Sequence, residues 1–429
     1  MEVSKRCAVM QFSPIRRFNV FAFEAEREHG KKVYRLNIGQ PDIETPPCFM
    51  DAIRKFDKKV IAYAESQGID ELRDAMIYYM KRDFNMEYER KDILITNGGS
   101  EALILAFTAL LNPGDEALIA EPFYTNYNTF CNEVSGVLVP LTTSAEDGYN
   151  WAKRDLIEKA ITPKTKAICC LSPGNPTGRV LTLEDMRLIG DIAKEHDLWI
   201  ISDEVYREFV YDGAEAHSFG QLEDIADRVV IVDSVSKRWS ACGARIGAAI
   251  SKNEEFMSAL LNPGDEALIA EPFYTNYNTF CNEVSGKLVP LTTSAEDGYD
   301  WAKRDLIEAA ITPKTKAICC LSPGNPTGRV LTLEDMKLIG DIAKEHDLWI
   351  ISDEVYREFV YDGAEAHSFG QLDDIADRVV IVDSVSKRWS ACGARVGAAI
   401  SKNKDFMSAL LKLAQGRLCV PTLEQVGAA

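Results

Sequence analysis

The chain has no apolar run approaching the ~18–20 residues that a membrane helix needs. That argues against a membrane-spanning role. Its opening, Met1-Glu2-Val3-Ser4-Lys5-Arg6-Cys7, lacks the apolar core and cleavage site of a secretory signal. Positive charge is scarce: 48 Lys and Arg stand against 66 Asp and Glu, a formal net charge of −18 in 429 residues. So acidic a surface repels phosphate backbones and anionic lipid, which argues against nucleic acid or membrane as the main partner. A local basic pocket for a small anion remains compatible with it. There is no Cys-x-x-Cys pair and no Cys/His spacing of a zinc site, so no metal is expected. The cysteines read as reduced, buried thiols of a cytoplasmic protein. Hydrophobic residues at 46% and charged residues at 27% are ordinary for a globular chain.

What the sequence has in abundance is itself. Residues 109–261 recur as 259–411 at an offset of 150, with eight differences: Val137/Lys287, Asn150/Asp300, Lys159/Ala309, Arg187/Lys337, Glu223/Asp373, Ile246/Val396, Glu254/Lys404 and Glu255/Asp405. The period is domain-sized, far beyond the ~20–50 residues of solenoid repeats. Near-identity over that length points to a recent duplication or an assembly accident. The string Ala-Leu-Leu at 109–111, 259–261 and 409–411 marks the seams. Four parts follow: an N-terminal head (1–108), a first core (109–258), a second core (259–411) and a tail (412–429). The tail closes on Gly427-Ala428-Ala429 without a stop signal and reads as a chain cut short.

In the head, helical patterns cover 16–29, 47–58, 70–82 and 101–111, and a short apolar strand covers 92–96. In the first core, strand-like runs at 116–120, 137–141, 166–171, 199–202, 229–233 and 245–250 alternate with helical stretches such as 183–196. Several runs are apolar throughout, as strands buried on both faces are. The alternation predicts an α/β fold: a mostly parallel, doubly wound sheet with helices on both faces. Such sheets bind ligands at the carboxyl ends of their strands, and the polar motifs fall there.

Asn97-Gly98-Gly99-Ser100 lies between a strand and a helix, where free N–H groups suit an anion. Most Gly-Gly pairs are simply turns. Ser172-Pro-Gly-Asn175-Pro-Thr-Gly178 presents Asn175 at a strand end, although such loops are commonly turns. Asp203, in Asp203-Glu-Val-Tyr206, follows a buried strand and must be paired or solvated; its bland role is a helix N-cap. Lys237, in Ser234-Val-Ser-Lys237, stands at the mouth of another strand, with Arg245 eight residues on. Desolvation and a neighbouring cation free a lysine amine for nucleophilic chemistry, although most such lysines are solvated loop residues. Phe123 and Tyr127 are compatible with core packing. His196 and His217 have no triad or metal partner in the sequence.

Together the motifs resemble the aspartate-aminotransferase-like enzymes: class I/II aminotransferases of fold type I that use pyridoxal 5'-phosphate (PLP). The run Ser234-Val-Ser-Lys237-Arg-Trp-Ser-Ala-Cys-Gly-Ala-Arg245-Ile-Gly247 resembles that family's lysine signature. Pro173-Gly-Asn-Pro-Thr-Gly178, Asp203-Glu-Val-Tyr206 and Asn97-Gly-Gly-Ser-Glu-Ala102 follow in the family's order. The resemblance covers about 10–261 and the second core to the tail. It implies that Lys237 bonds the cofactor and then carries the Cα proton. Asp203 pairs with the pyridine nitrogen, an attraction of ~4 kcal/mol at about 4 Å and an effective dielectric near 20, before desolvation. Tyr206 and Asn175 reach the ring hydroxyl, and Tyr124 stacks on the ring. Gly99, Ser100, Ser234 and Arg245 hold the phosphate, and Gly39 and Asn175 meet the substrate. Tyr63 resembles the tyrosine that reaches a neighbouring subunit's phosphate, which implies a homodimer.

The second core repeats Tyr274, Asn325, Asp353, Tyr356, Ser384, Lys387 and Arg395 but has no second head. The expectation is that the first core completes the site and the second forms a partial sheet with an exposed edge. The alternative is an internal pseudo-dimer in which Tyr63 faces Lys387. The family's C-terminal small domain, with its carboxylate-binding arginine, finds no counterpart, a loss of ~2–4 kcal/mol of substrate binding. Arg417 lies near where that segment begins and does not replace it. The function implied is amino-group transfer between an amino acid and a 2-oxo acid. A PLP-dependent β-lyase and a non-catalytic, PLP-binding product of duplication remain as alternatives.

Overall fold

A computed structural model describes residues 14–36, 38–253, 257, 265–283, 286–416 and 421–428. Arg417 and the seam at 258–264 lie outside the described residues. Two separate sheets are formed. The first contains β1 (Ile93–Thr96), β2 (Glu116–Glu121), β3 (Val137–Thr142), β4 (Thr165–Leu171), β5 (Trp199–Asp203), β6 (Val229–Ser234) and β7 (Gly247–Ile250), in the order β1-β7-β6-β5-β4-β2-β3. The second contains β8 (Asp265–Ala270), β9 (Gly286–Leu291), β10 (Thr315–Leu321), β11 (Trp349–Asp353), β12 (Val379–Ser384) and β13 (Gly397–Ile400), in the order β13-β12-β11-β10-β8-β9. Strands β2 to β6 run parallel, whereas β7 is antiparallel to both β6 and β1. The α/β, mostly parallel architecture is therefore present. The head contributes a strand to the first sheet rather than standing beside it.

The buried strands are β-branched and apolar because both faces are covered. Successive residues of β5 enter opposite layers. Ile200 packs with Met80, Phe84, Ile168 and Ile231, while Ile201 packs with Phe107, Tyr127, Phe130 and Val232. The helix Asp70–Phe84 lines the first layer and stops where Asn85 turns left-handed at φ 52°. The helix Gly99–Leu110 lines the second. Between β4 and β5, the helix Leu183–Glu195 is opened by a reciprocal cap: the Thr182 hydroxyl accepts from the Asp185 N–H, and the Asp185 carboxylate from that of Thr182. Arg245 does not extend β7, as the apolar run had implied. It sits in a left-handed turn at φ 51°, which aims its side chain back across the sheet's edge.

The two lobes are tied by crossed connections. The helix Lys404–Gly416, which follows β13, packs on the helix Asn126–Glu133 of the first lobe. The helix Thr422–Ala428 then reaches the first lobe's turn at 242–244. In the other direction the Ile61 carbonyl accepts the Gly393 N–H at 2.8 Å. The tail thus serves the first lobe and the head loop touches the second.

Candidate active site

The sheet brings the polar strand ends together. Leu171 of β4 is in register with Asp203 of β5, and Asp203 with Val232 of β6. At this carboxyl edge a cavity of about 550 Å³ opens, within the ~300–1,000 Å³ typical of small-molecule sites. Gly39, Gly99, Ser100, Tyr124, Asn175, Asp203, Tyr206, Ser234, Lys237 and Arg245 all line it.

Lys237 lies in a single helical turn, Val235–Arg238, directly after β6. The Ser234 hydroxyl starts that turn by accepting the Ser236 N–H at 3.1 Å. The Lys237 amine donates to the Gly39 carbonyl. It lies 4.0 Å from Cys242 Sγ and 5.7 Å from the centre of the Tyr206 ring. The carbonyl that orients the amine is therefore supplied by the head, 198 residues away.

Asp203 is 8% exposed at the end of β5. Tyr127 donates its hydroxyl to Oδ2 at 2.9 Å, and the Val205 N–H donates to Oδ1 at 3.3 Å. Burial pushes the carboxyl up to about 6; the two donors oppose the rise, and the charges of Glu204 and Asp233 add to it. None of the leading influences on it is a cation. A cationic ring nitrogen in the cavity would supply what this carboxylate lacks. Burial, followed by the Asp203 charge, lifts the Tyr206 phenol to about 12, so it stays a donor at neutral pH.

At the opposite end, Gly98 has φ +77°, and a Cβ there would lie 2.5 Å from the Arg245 guanidinium. Only glycine permits that approach. Arg245 donates to the Asn97 carbonyl at 3.0 Å and the Cys242 carbonyl at 3.3 Å. With Ser100, Ser234 and the N-terminus of the helix Gly99–Leu110, it makes a positive, donor-rich end. A lysine amine, an isolated carboxylate and this anion cradle are the donor set that a phosphorylated pyridine aldehyde fits.

Several participants escape a reading of the sequence. Tyr127 looks like one more core aromatic, yet it anchors Asp203 from 76 positions away. Cys242 and Thr422 also line the cavity. Behind Asp203, Glu204 accepts from Arg207 at 2.6 Å, Ser202 at 2.7 Å and Ser218 at 2.9 Å, all buried. Asp233 accepts from Arg238 at 2.9 Å. The dense acid–base spacing of 202–208 is the only sequence signal of this network.

Tyr63 does not line the cavity. It is 56% exposed, and its ring lies 5.4 Å from Lys387 Nζ and 5.4 Å from the Arg395 guanidinium. Around Lys387, Tyr277 donates to Asp353 at 2.6 Å and the Tyr356 ring is 5.5 Å from the amine. Burial lowers the Lys387 pKa; a hydrogen bond to Tyr356 and the nearby phenols outweigh that and leave it raised. Ser384 caps the turn that carries Lys387. Tyr274 is 41% exposed, and Asn325 faces a separate small crevice with Arg329. Among the described residues the second lobe has no counterpart of Gly99 and Ser100.

A mostly parallel sheet with a lysine and a buried aspartate at adjacent strand ends places this chain among α/β proteins that gather their polar residues at the carboxyl edge. The family model for aminotransferase class I and II matches residues 31–262 and again 253–429, so the chain belongs to that family. It is similar to the aspartate aminotransferase of Bacillus sp. (strain YM-2), 36% identical over 236 residues, covering 54% of this chain and 60% of that protein. It is also similar to an aspartate aminotransferase of Bacillus subtilis (strain 168), 33% identical and covering 61% of this chain and 66% of that one. Among solved structures, a double mutant of the Thermus thermophilus aspartate aminotransferase superposes with a TM-score of 0.56 at 32% identity, over 60% of this chain and 66% of the other. The chain thus spans under two thirds of the length of these relatives.

Proposed function

We propose that the first lobe, completed by the head and the tail, is a PLP-dependent aminotransferase site. It moves an amino group between an amino acid and a 2-oxo acid in the cytoplasm. The carrying observation is that Lys237 and Asp203, from neighbouring strands, line one cavity whose far end holds Ser100, Ser234 and Arg245. When bound, PLP supplies an aldehyde that exchanges amines and a protonated ring that accepts the electron pair left when a Cα–H bond breaks. Lys237 would hold the aldehyde carbon, and its amine would take and return the substrate's Cα proton. Asp203, fixed by Tyr127 and Val205, would hold the ring-nitrogen proton in place. Tyr206 and Asn175 would donate to the ring hydroxyl, Tyr124 would cover a ring face, and Gly39, which orients Lys237, would meet the substrate.

In this reading the core segment is carried twice, as 109–258 and 259–411, and the dimer-like contact is made inside one chain by Tyr63 against Lys387. The second lobe's Asp353, Lys387 and Arg395 then form an incomplete site. The test is to add PLP to the full chain and to its Lys237→Ala and Lys387→Ala variants. The parent and Lys387→Ala should gain a visible absorbance that an amino acid bleaches and a 2-oxo acid restores. Lys237→Ala should gain none. Equal loss from the two variants would refute the assignment to the first lobe. Colour without bleaching would leave binding and remove the transfer reaction.

A further inference from the structure

In the first sheet β7 reads Gly247-Ala-Ala-Ile250, and all four residues are buried. Strand β1 covers its outer edge, pairing Ile93 with Ile250, Leu94 with Ala249, Ile95 with Ala248 and Thr96 with Gly247. The Ser251 N–H extends the ladder to the Asp92 carbonyl at 3.0 Å. Strand β13 has the same four residues and the same antiparallel register on its inner neighbour, β12. It nevertheless ends its sheet: Gly397, Ala398 and Ile400 are exposed, Ile400 by 53%.

A second vacancy lies beside this edge. The helix Gly99–Leu110, continuous with β1, covers one face of the first sheet through Leu103 and Phe107, against Tyr127, Phe130 and Val232. In the second lobe the matching face is only partly covered: Ile269, Cys319 and Val380 stay buried, and the cover thins toward β13. Strand β12 is fully buried only at its first two residues, and Phe280 is 52% exposed where Phe130 is 0%. One continuous segment, 93–110, closes both the edge and the face in the first lobe. The head loop touches the second lobe at the Gly393 turn and leaves β13 open.

We propose that β13 and the partly covered face beside it are a docking site for a strand–turn–helix segment with the sequence of 93–110, supplied by another polypeptide. Its strand would add antiparallel to β13, placing the equivalents of Ile93 to Thr96 opposite Ile400 to Gly397. The chain's own β1 is engaged on β7 and cannot serve both edges. Glycines at 98 and 99 are part of the requirement, because Arg395 repeats the left-handed turn by which Arg245 closes on Gly98. The proposal is independent of any cofactor.

The test uses the full chain and a labelled synthetic peptide of residues 86–111, verified as monomeric. Fluorescence anisotropy should show one peptide bound per chain, and amide exchange at 397–400 should slow on binding. A Leu94→Pro peptide, which loses an N–H that faces the neighbouring strand, should bind about tenfold more weakly or worse; the Ile95 N–H is turned the other way, to the Gln67 carbonyl. Absence of binding overturns the proposal, as does equal binding of the proline peptide. Slowed exchange at 397–400 that rises with protein concentration alone would assign the edge to a second copy's β13 and overturn it too.

Discussion

Replacing Asp203 by Asn should stabilise the cofactor-free chain at alkaline pH while removing its grip on PLP. Burial raises the Asp203 carboxyl from 3.8 to about 6. Two pKa units at ~1.4 kcal/mol each come to roughly 3 kcal/mol. The sign follows from proton counts. Between the unfolded and folded values the native state binds the extra proton, so stability falls as pH rises through that window. The full penalty stands above it. Asparagine carries no charge and keeps one oxygen for the Tyr127 hydroxyl or the Val205 N–H. One imperfect hydrogen bond offsets ~1 kcal/mol of the gain. Urea midpoints without cofactor should therefore favour the variant by about 1–3 kcal/mol at pH 8, and by little or nothing at pH 4. Adding PLP at about 1,000 times its Kd should reverse the order at pH 8, because the parent gains ~4.1 kcal/mol by linkage and the variant does not. A variant equally destabilised at both pH values would refute the reasoning, since the buried charge would then be fully compensated in the apo protein.

Phe130→Ala and Phe280→Ala remove the same side chain from two environments of one molecule. The first, 0% exposed, should cost about 3–5 kcal/mol, and the second, 52% exposed, under about 1 kcal/mol, measured by chemical denaturation. Arg207 is fully buried against Glu204, with its guanidinium 4.7 Å from the Phe84 ring. Arg207→Met should destabilise by about 3–5 kcal/mol by leaving Glu204 buried without its cation, and the double variant with Glu204→Gln should recover part of that loss.

Much of the site is legible because its residues sit at the ends of buried strands, where a charge has few other reasons to stand. Asp203 after Trp199–Ser202 and Lys237 after Val229–Ser234 stand out against apolar runs. The repeat itself shows that one head must serve two cores, and the open edge of β13 follows from that count. Contacts made across the fold are not legible. The Tyr127–Asp203 bond spans 76 positions and hides within an aromatic run, and the Lys237–Gly39 bond spans 198. Thr422 arrives at the cavity only because the tail packs back onto the first lobe. Tyr63 shows the limit of reading position alone. Its motif predicts a neighbour's phosphate, and the neighbour it meets is the second lobe of its own chain.

The account turns on which amine holds the cofactor. Borohydride reduction of the PLP-loaded chain fixes the coenzyme to its lysine, and mass spectrometry then reads the position. Trypsin gives the same Val-Val-Ile-Val-Asp-Ser-Val-Ser-Lys sequence around Lys237 and Lys387, so it cannot separate them. A glutamate-specific protease can, because Glu223 is matched by Asp373 and Ile246 by Val396. The phosphopyridoxyl mass should appear on the peptide that contains Ile246 and be absent from the one that contains Val396. The reverse distribution, or none on either, would contradict the account.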